Sequence, residues 1–135
     1  MSFHLDERLP KINDKALLKR ALATLKHSVT EHDRPAVIRG YGQETLRIAC
    51  ELVLSRDVTG MRADIGFHQE QDGTFTIVSD SYANRELPQF IRDLKRTYEE
   101  EKAIAKARAL GYRVTSRGKW VQRNNEEFLQ LVVAR

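Results

Sequence analysis

The chain has 135 residues, with 23 Lys or Arg against 19 Asp or Glu and a formal net charge of +4 at pH 7. Its 41% hydrophobic content argues against intrinsic disorder, and no apolar run approaches the ~20 residues needed to cross a bilayer. The single cysteine cannot form an internal disulfide, and the charged first residues lack the apolar core of a secretory signal. We therefore expect a cytoplasmic protein that makes no membrane contact and folds as a single domain over residues 1–135.

The first predicted elements are a strand and an amphipathic helix. Residues 3–9 favour a strand that ends at Pro10, which lacks the N–H needed for sheet pairing. Asn13 is placed as the N-cap of a helix that runs to about Leu25. The apolar residues of this helix follow i, i+3, i+4, i+7 spacing: Leu18, Ala21, Leu22 and Leu25. This stripe predicts a helix that packs on a sheet.

Three strands are predicted in the middle of the chain. Apolar residues occupy every second position from residue 45 to residue 54, which predicts a strand with one buried face. The alternation resumes over residues 61–67 and again over residues 75–77. The Gln-Asp-Gly sequence at 71–73 favours a tight turn between them, so these two segments are predicted to form a hairpin.

A long helix and a second hairpin are predicted at the C-terminal end. Apolar residues at helical spacing begin at Leu87, and the helix is expected to reach Leu110, with Gly111 as the residue that ends it. Residues 112–122 and 127–133 then favour two strands around a polar turn. Together the elements predict an α+β fold, with a largely antiparallel sheet and two helices packed on one face.

Three consecutive glutamates, at positions 99–101, lie in the long helix and are followed by Lys102 and Lys106. Opposite charges three to five residues apart stabilise an isolated helix, so the simplest expectation is a solvated, stabilising face. A docking face for a partner is the alternative.

The positive charge is concentrated near the C-terminus, since residues 85–135 carry 12 basic and 7 acidic side chains. Tyr112 and Trp120 interrupt this basic stretch, and cations mixed with aromatic rings are typical of nucleic-acid surfaces. Strict alternation places Arg113, Arg117 and Lys119 on one face and Trp120 on the other, which favours a solvated basic face over base stacking. The predicted basic surface comprises Lys106, Arg108, Arg113, Arg117, Lys119 and Arg123.

Asp64 and Asp80 are the candidate ligand or catalytic residues. If the predicted hairpin closes, their carboxylates approach each other, and a close pair can bind a divalent cation or act in acid–base catalysis. By its position in the alternation, Asp64 nevertheless lies on the polar face of its strand, opposite Ile65 and Phe67. Asp80 follows a strand, so structural roles are the main expectation for both aspartates. His68 shares the strand face of Asp64, and Arg39 is a candidate for binding an acid or a phosphate. The sequence contains no phosphate loop, zinc motif or nucleophile motif, so we expect no cofactor.

Several short motifs follow one another in a characteristic order. They are Arg39-Gly40-Tyr41, Ala63-Asp64-Ile65-Gly66-Phe67, Asp72-Gly73-Thr74-Phe75 with Val78 and Asp80, and Tyr98 with Gly111-Tyr112. This order resembles the hypothetical chloroplast reading frame 35 family, or domain of unknown function 1257, of plastids, cyanobacteria and other organisms. The family has no established activity, and its members are often encoded beside an AAA-type ATPase or a ferredoxin-like protein. The resemblance therefore implies a role with a protein partner, with an AAA-type ATPase as the candidate.

Three functional hypotheses follow from these observations. The leading one is a small non-catalytic accessory or adaptor protein that acts with a partner protein. The second is an RNA-binding protein that uses the basic C-terminal hairpin. The third is a small metal-binding enzyme centred on Asp64 and Asp80.

Overall fold

The structure is a computed structural model that describes residues 4–40, 45–80 and 85–135. Residues such as Tyr41 of the first motif, and the start of the first predicted strand at Phe3, lie outside this range. In chain order the elements are β1 (His4–Leu9), α1 (Lys15–Thr24), β2 (Thr30–Arg39), β3 (Thr45–Leu54), α2 (Arg56–Thr59), β4 (Ile65–Gln69), β5 (Phe75–Asp80), α3 (Leu87–Ala109), β6 (Arg113–Arg123) and β7 (Glu126–Ala134).

Five of the strands form one antiparallel sheet in the order β1-β5-β4-β3-β2, and β6 pairs only with β7 in a separate antiparallel ribbon. The predicted α+β class with a largely antiparallel sheet is confirmed. The hairpin of β4 and β5 forms around the predicted turn, with Phe67 opposite Ile77.

The main apolar core lies between this sheet and the two long helices. It joins Leu18 and Leu22 of α1 and Leu94 and Tyr98 of α3 to strand residues such as Phe67. Burying apolar side chains this completely is the main free-energy gain of folding. Both long helices therefore pack on one face of the sheet, as predicted.

The opposite face of the sheet has a second, smaller core. Strand β3 has the predicted bounds, but its predicted single buried face is wrong: Leu52 belongs to the helix-side core, whereas Cys50 and Val53 belong to the second one. Register shifts between β2 and β3 show that this pairing is irregular, and an irregular strand changes which face its side chains reach. A Cβ on Gly66 would collide with Cys50 Sγ, so this neighbour of Cys50 is required to be glycine.

Several boundaries differ from the sequence-based expectation. Asp14, not Asn13, caps α1, and its carboxylate accepts a hydrogen bond from the Leu17 amide at 3.1 Å. Residues 61–64 precede β4 instead of forming its first half, because the short helix α2 ends just before them at Gly60, which has φ +77°. The predicted end of α3 is confirmed, since Leu110 caps this helix and Gly111 has φ +88°.

Candidate functional site

Asp64 is the centre of a buried network at one end of the main sheet. This residue is only 4% exposed, and its carboxylate accepts hydrogen bonds from the backbone amides of Arg39 and Arg56, each at 2.8 Å. The Arg39 guanidinium donates to both carboxylate oxygens at 3.1 Å. The same guanidinium contacts Ser55 Oγ and Asp57 Oδ2 at 3.0 Å. We call Arg39, Ser55, Arg56, Asp57 and Asp64 the Asp64 cluster.

The Asp64 cluster ties three elements together. Arg39 ends β2, Ser55 caps α2, and Asp64 immediately precedes β4. The backbone adds a reciprocal bond, because the Asp64 amide donates to the Arg39 carbonyl at 2.9 Å. A carboxylate with this many donors stabilises the local chain path through charge-assisted hydrogen bonds.

The protonation state of Asp64 follows from these contacts. Burial alone would raise the pKa of this carboxyl, but hydrogen bonds from Arg39 and from the Arg56 amide outweigh burial and lower the pKa below 3.8. Asp64 is therefore ionised at neutral pH, and both of its carboxylate oxygens accept hydrogen bonds. A carboxylate with a lowered pKa and no free oxygen is a poor general base.

Asp80 lies at the same end of the sheet, as predicted from the hairpin. At this end of β4 and β5, Ile65 pairs with Ser79, and Ser79 Oγ donates to the Asp64 carbonyl at 3.0 Å. Asp80 is fully buried, and a Cβ on Gly40 would stand 3.1 Å from its Oδ2. Asp64 thus lies beside Arg39, and Asp80 lies beside the next residue, Gly40. Within residues 4–40, 45–80 and 85–135, no three His, Cys, Asp or Glu side chains are grouped to hold a metal.

His68 makes its contact elsewhere. Its Nδ1 lies 3.3 Å from Glu51 Oε2, while that oxygen accepts the Gln69 amide at 3.1 Å. His68 is therefore placed beside β3 and not in the Asp64 cluster. Burial raises the pKa of the Cys50 thiol to about 12, so Cys50 is not a nucleophile at neutral pH.

The C-terminal hairpin is docked on α3 through charged groups. Arg117 donates to Glu101 Oε1 at 2.6 Å and lies 3.3 Å from Glu100 Oε2. Trp120 Nε1 donates to Glu100 Oε1 at 2.8 Å. The expectation of a solvated glutamate face is therefore wrong for these two glutamates, because the hairpin covers them. Glu101 itself is buried and also accepts from Thr24 Oγ1 at 2.7 Å.

Arg117 and Trp120 reach the same helix, which strict alternation does not allow. The register of β6 and β7 shifts between Val114 and Ser116 and again between Ser116 and Lys119. Gly118 lies in the second irregularity with φ +132°. Each irregularity displaces the alternation, so the predicted line of Arg113, Arg117 and Lys119 on one face is wrong.

The side of the hairpin turned away from α3 carries exposed apolar residues. Phe128 is 46% exposed and pairs with Val121. Val132 lies four residues further along β7, on the same face of the strand, and is 56% exposed. Lys119 and Arg123 lie on either side of Val121 along the same face of β6. We call Lys119, Val121, Arg123, Phe128 and Val132 the outer face of the hairpin.

Sequence reasoning identified the cations of this surface but not its apolar residues. Phe128 and Val132 were assigned to a strand, yet an isolated two-stranded ribbon can bury only one of its faces. Five predicted basic residues are exposed and make no ion pair within the described part of the chain: Lys106, Arg108, Arg113, Lys119 and Arg123.

The fold defines a small α+β protein with an antiparallel sheet, a buried arginine–aspartate network and a peripheral hairpin. A family model described as protein of unknown function (DUF1257) matches residues 21–132, and the chain belongs to this family. No curated protein and no solved structure matches the chain. Among the described residues, no helix has the length and apolar character needed to span a membrane.

Proposed function

We propose that the protein is a non-catalytic accessory domain that binds a partner protein through the outer face of its hairpin. The observation that carries this proposal is the exposure of Phe128 and Val132 together on one side of a two-stranded ribbon. Exposed apolar side chains grouped in this way are typical of protein-binding surfaces.

The charge on this surface indicates the chemistry of the partner. Lys119 and Arg123 flank the apolar pair of Val121 and Phe128. An apolar patch rimmed by cations is complementary to a partner surface that is apolar at its centre and acidic at its edge. We include an AAA-type ATPase in the proposal as the first partner to test, because the family resemblance implies it.

The chemistry of the Asp64 cluster supports the same proposal. Its carboxylate and guanidinium groups bind one another, so they contribute to stability and offer no free base or nucleophile. The hypothesis of a metal-binding enzyme centred on Asp64 and Asp80 has less support, because the donors around Asp64 already occupy both of its oxygens.

Site-specific crosslinking tests the proposal. A photoreactive amino acid at position 128 of the full chain is expected to crosslink one protein in a nuclease-treated lysate of the source organism. Placing the same group at position 58 is the matched control, because Val58 is 63% exposed but lies in α2, far along the chain from the hairpin. Identical products from both positions, or none from position 128, would contradict the proposal.

RNA binding is the second candidate function, and the exposed cations without ion pairs favour it. This binding would be independent of sequence and would weaken strongly with salt, since phosphate contacts release counterions. Base stacking on Trp120 is disfavoured because one face of its ring lies under the Arg96 guanidinium, 5.7 Å from the ring centroid, and the ring belongs to the side of the hairpin that contacts α3.

A filter-binding titration separates the two candidates. If RNA is the ligand, exchanging Arg113, Lys119 and Arg123 together for Glu is expected to abolish retention of single-stranded RNA. Replacing Phe128 by Ser is expected to leave RNA retention unchanged and to abolish only the protein crosslink formed from a photoreactive group at position 132. Loss of RNA retention in the Phe128→Ser variant would contradict this separation.

A further inference from the structure

A groove of about 330 Å³ lies between the end of β1, the middle of α3 and the inner side of the hairpin. Its apolar lining comes from Leu9, Pro10 and Ile12 on one side and from Trp120 on the other. This volume is at the small end of the range for ligand sites, about 300–1,000 Å³, and suits a ligand much smaller than a dinucleotide.

The charged lining of the groove divides into paired and unpaired groups. Arg96 forms an ion pair with Glu127, and Lys95 Nζ lies 3.5 Å from Glu7 Oε2. Lys11 and Glu99 also line the groove, and the side chain of neither makes a hydrogen bond or ion pair with another residue that the structure describes. The Lys11 ammonium group and the Glu99 carboxylate are thus left without a partner among the described residues, next to the apolar lining of the groove.

We propose that this groove binds a free α-amino acid with an apolar side chain. Lys11 binds the ligand carboxylate, Glu99 binds the ligand ammonium group, and the side chain packs against Pro10 and Trp120. An uncharged apolar ligand would leave both charges unused, whereas a simple anion or cation would use only one. The zwitterion satisfies both groups, and charge-assisted hydrogen bonds of this kind set orientation as well as affinity.

This site is independent of the proposed partner surface. Trp120 belongs to the side of the hairpin that contacts α3, whereas Phe128 lies on the outer face. Occupation of the groove therefore leaves the outer face accessible.

The fluorescence of the chain gives a direct readout, because Trp120 is its single tryptophan. Titration of the full-length protein with L-leucine is expected to change this fluorescence saturably, and ligand-detected NMR is expected to show the same binding. N-acetyl-leucine lacks the ammonium group and leucine amide lacks the carboxylate. Each is expected to bind about ten-fold more weakly or worse, since each loses one charged contact.

Two variants and one control test the assignment of residues. Lys11→Gln and Glu99→Gln are each expected to weaken leucine binding about ten-fold or more with an unchanged melting temperature. Lys102→Gln is the matched control, because Lys102 is exposed on α3 and does not line the groove.

Three results would overturn the proposal. The first is absence of binding by both methods up to about 10 mM leucine, beyond the weak affinity expected for so small a ligand. The second is equal binding of leucine amide or N-acetyl-leucine, which would assign the groove to the end of a peptide instead. The third is a loss of binding in Lys102→Gln equal to that in the two groove variants.

Discussion

The main sheet with its two long helices and the C-terminal hairpin are stabilised by different interactions. In the main sheet, strand β5 is buried along its whole length, and Leu94 of α3 is fully buried against it and its neighbours. In the hairpin every residue of β6 and β7 remains at least partly exposed. The hydrogen bonds and ion pairs that join it to α3 in the described part of the chain are made by Arg117, Trp120 and Glu127.

This difference has an energetic consequence. Apolar burial is worth about 25 cal/mol per Å² and is not screened by salt, whereas partly exposed ion pairs contribute about 0.2–1 kcal/mol each and are screened. The main sheet therefore carries most of the stability, and the hairpin contributes less.

Removal of a core leucine gives the largest expected effect. Leu94→Ala is expected to lower the free energy of unfolding by about 2–5 kcal/mol, because a cavity forms in the main core. The matched change in the hairpin, Leu129→Ala, is expected to cost only about 1–2 kcal/mol since Leu129 is half-buried. Urea denaturation of both variants measures the difference. Equal losses would show that the hairpin is packed as tightly as the main sheet.

Loss of the Asp64 carboxylate is expected to rank second. Asp64→Asn should cost about 2–3 kcal/mol at neutral pH, because Arg39 and two backbone amides lose a charged acceptor. The folded pKa of Asp64 lies below its unfolded value of 3.8. The stabilisation is therefore complete above that value and is lost as pH falls through the folded pKa.

Denaturation of wild type and Asp64→Asn from pH 3 to pH 7 tests this sign. The difference in stability between the two is expected to shrink as the pH falls. Asp33→Asn, a change at an exposed residue of β2, serves as the control and should have little effect at any pH. A difference that grows in acid would contradict the assigned protonation state.

Removal of the Arg117 side chain, which binds the hairpin to α3, has a smaller expected effect. Arg117→Gln should cost about 1 kcal/mol in low salt and less in high salt, because Arg117 is partly exposed. Arg113→Gln, at a residue with no ion pair in the described chain, is the control and should cost almost nothing. A cost for Arg117→Gln that is independent of salt would argue that apolar packing holds the hairpin.

Changes on the outer face of the hairpin have the smallest expected effect on stability. Phe128→Ser should change the free energy of unfolding by no more than about 0.5 kcal/mol, because the ring is half exposed. The same variant is expected to lose the partner crosslink formed from a photoreactive group at position 132. A large loss of stability instead would mean that Phe128 has a structural role.

Much of the fold was predictable because its signals are local. The alternation from residue 45 to residue 54 gave the bounds of β3, and helical spacing with Gly111 gave the end of α3. The polar turn of the second hairpin was also predicted, and Asn124 and Asn125 both adopt positive φ there. Strand β2 was missed because its first half is charged and is followed by Pro35, so it shows no alternation.

The site was less predictable because it depends on irregular pairing. Asp64 and Arg39 were both identified, but their ion pair joins residues 25 positions apart and required the sheet order. The shared orientation of Arg117 and Trp120 depends on the irregularity at Gly118, which strict alternation cannot represent. Glu101 was expected in solvent because its spacing to the lysines of the same helix is typical of an exposed face, but the hairpin covers it.

Native-state hydrogen exchange of the full chain, at low and high salt, tests the contrast between the two regions most directly. Amides of β6 and β7 are expected to exchange faster than those of β4 and β5 at low salt. High salt is expected to accelerate exchange in β6 and β7 alone, since charged contacts hold the hairpin on α3. Equal protection of both regions, unaffected by salt, would contradict this contrast.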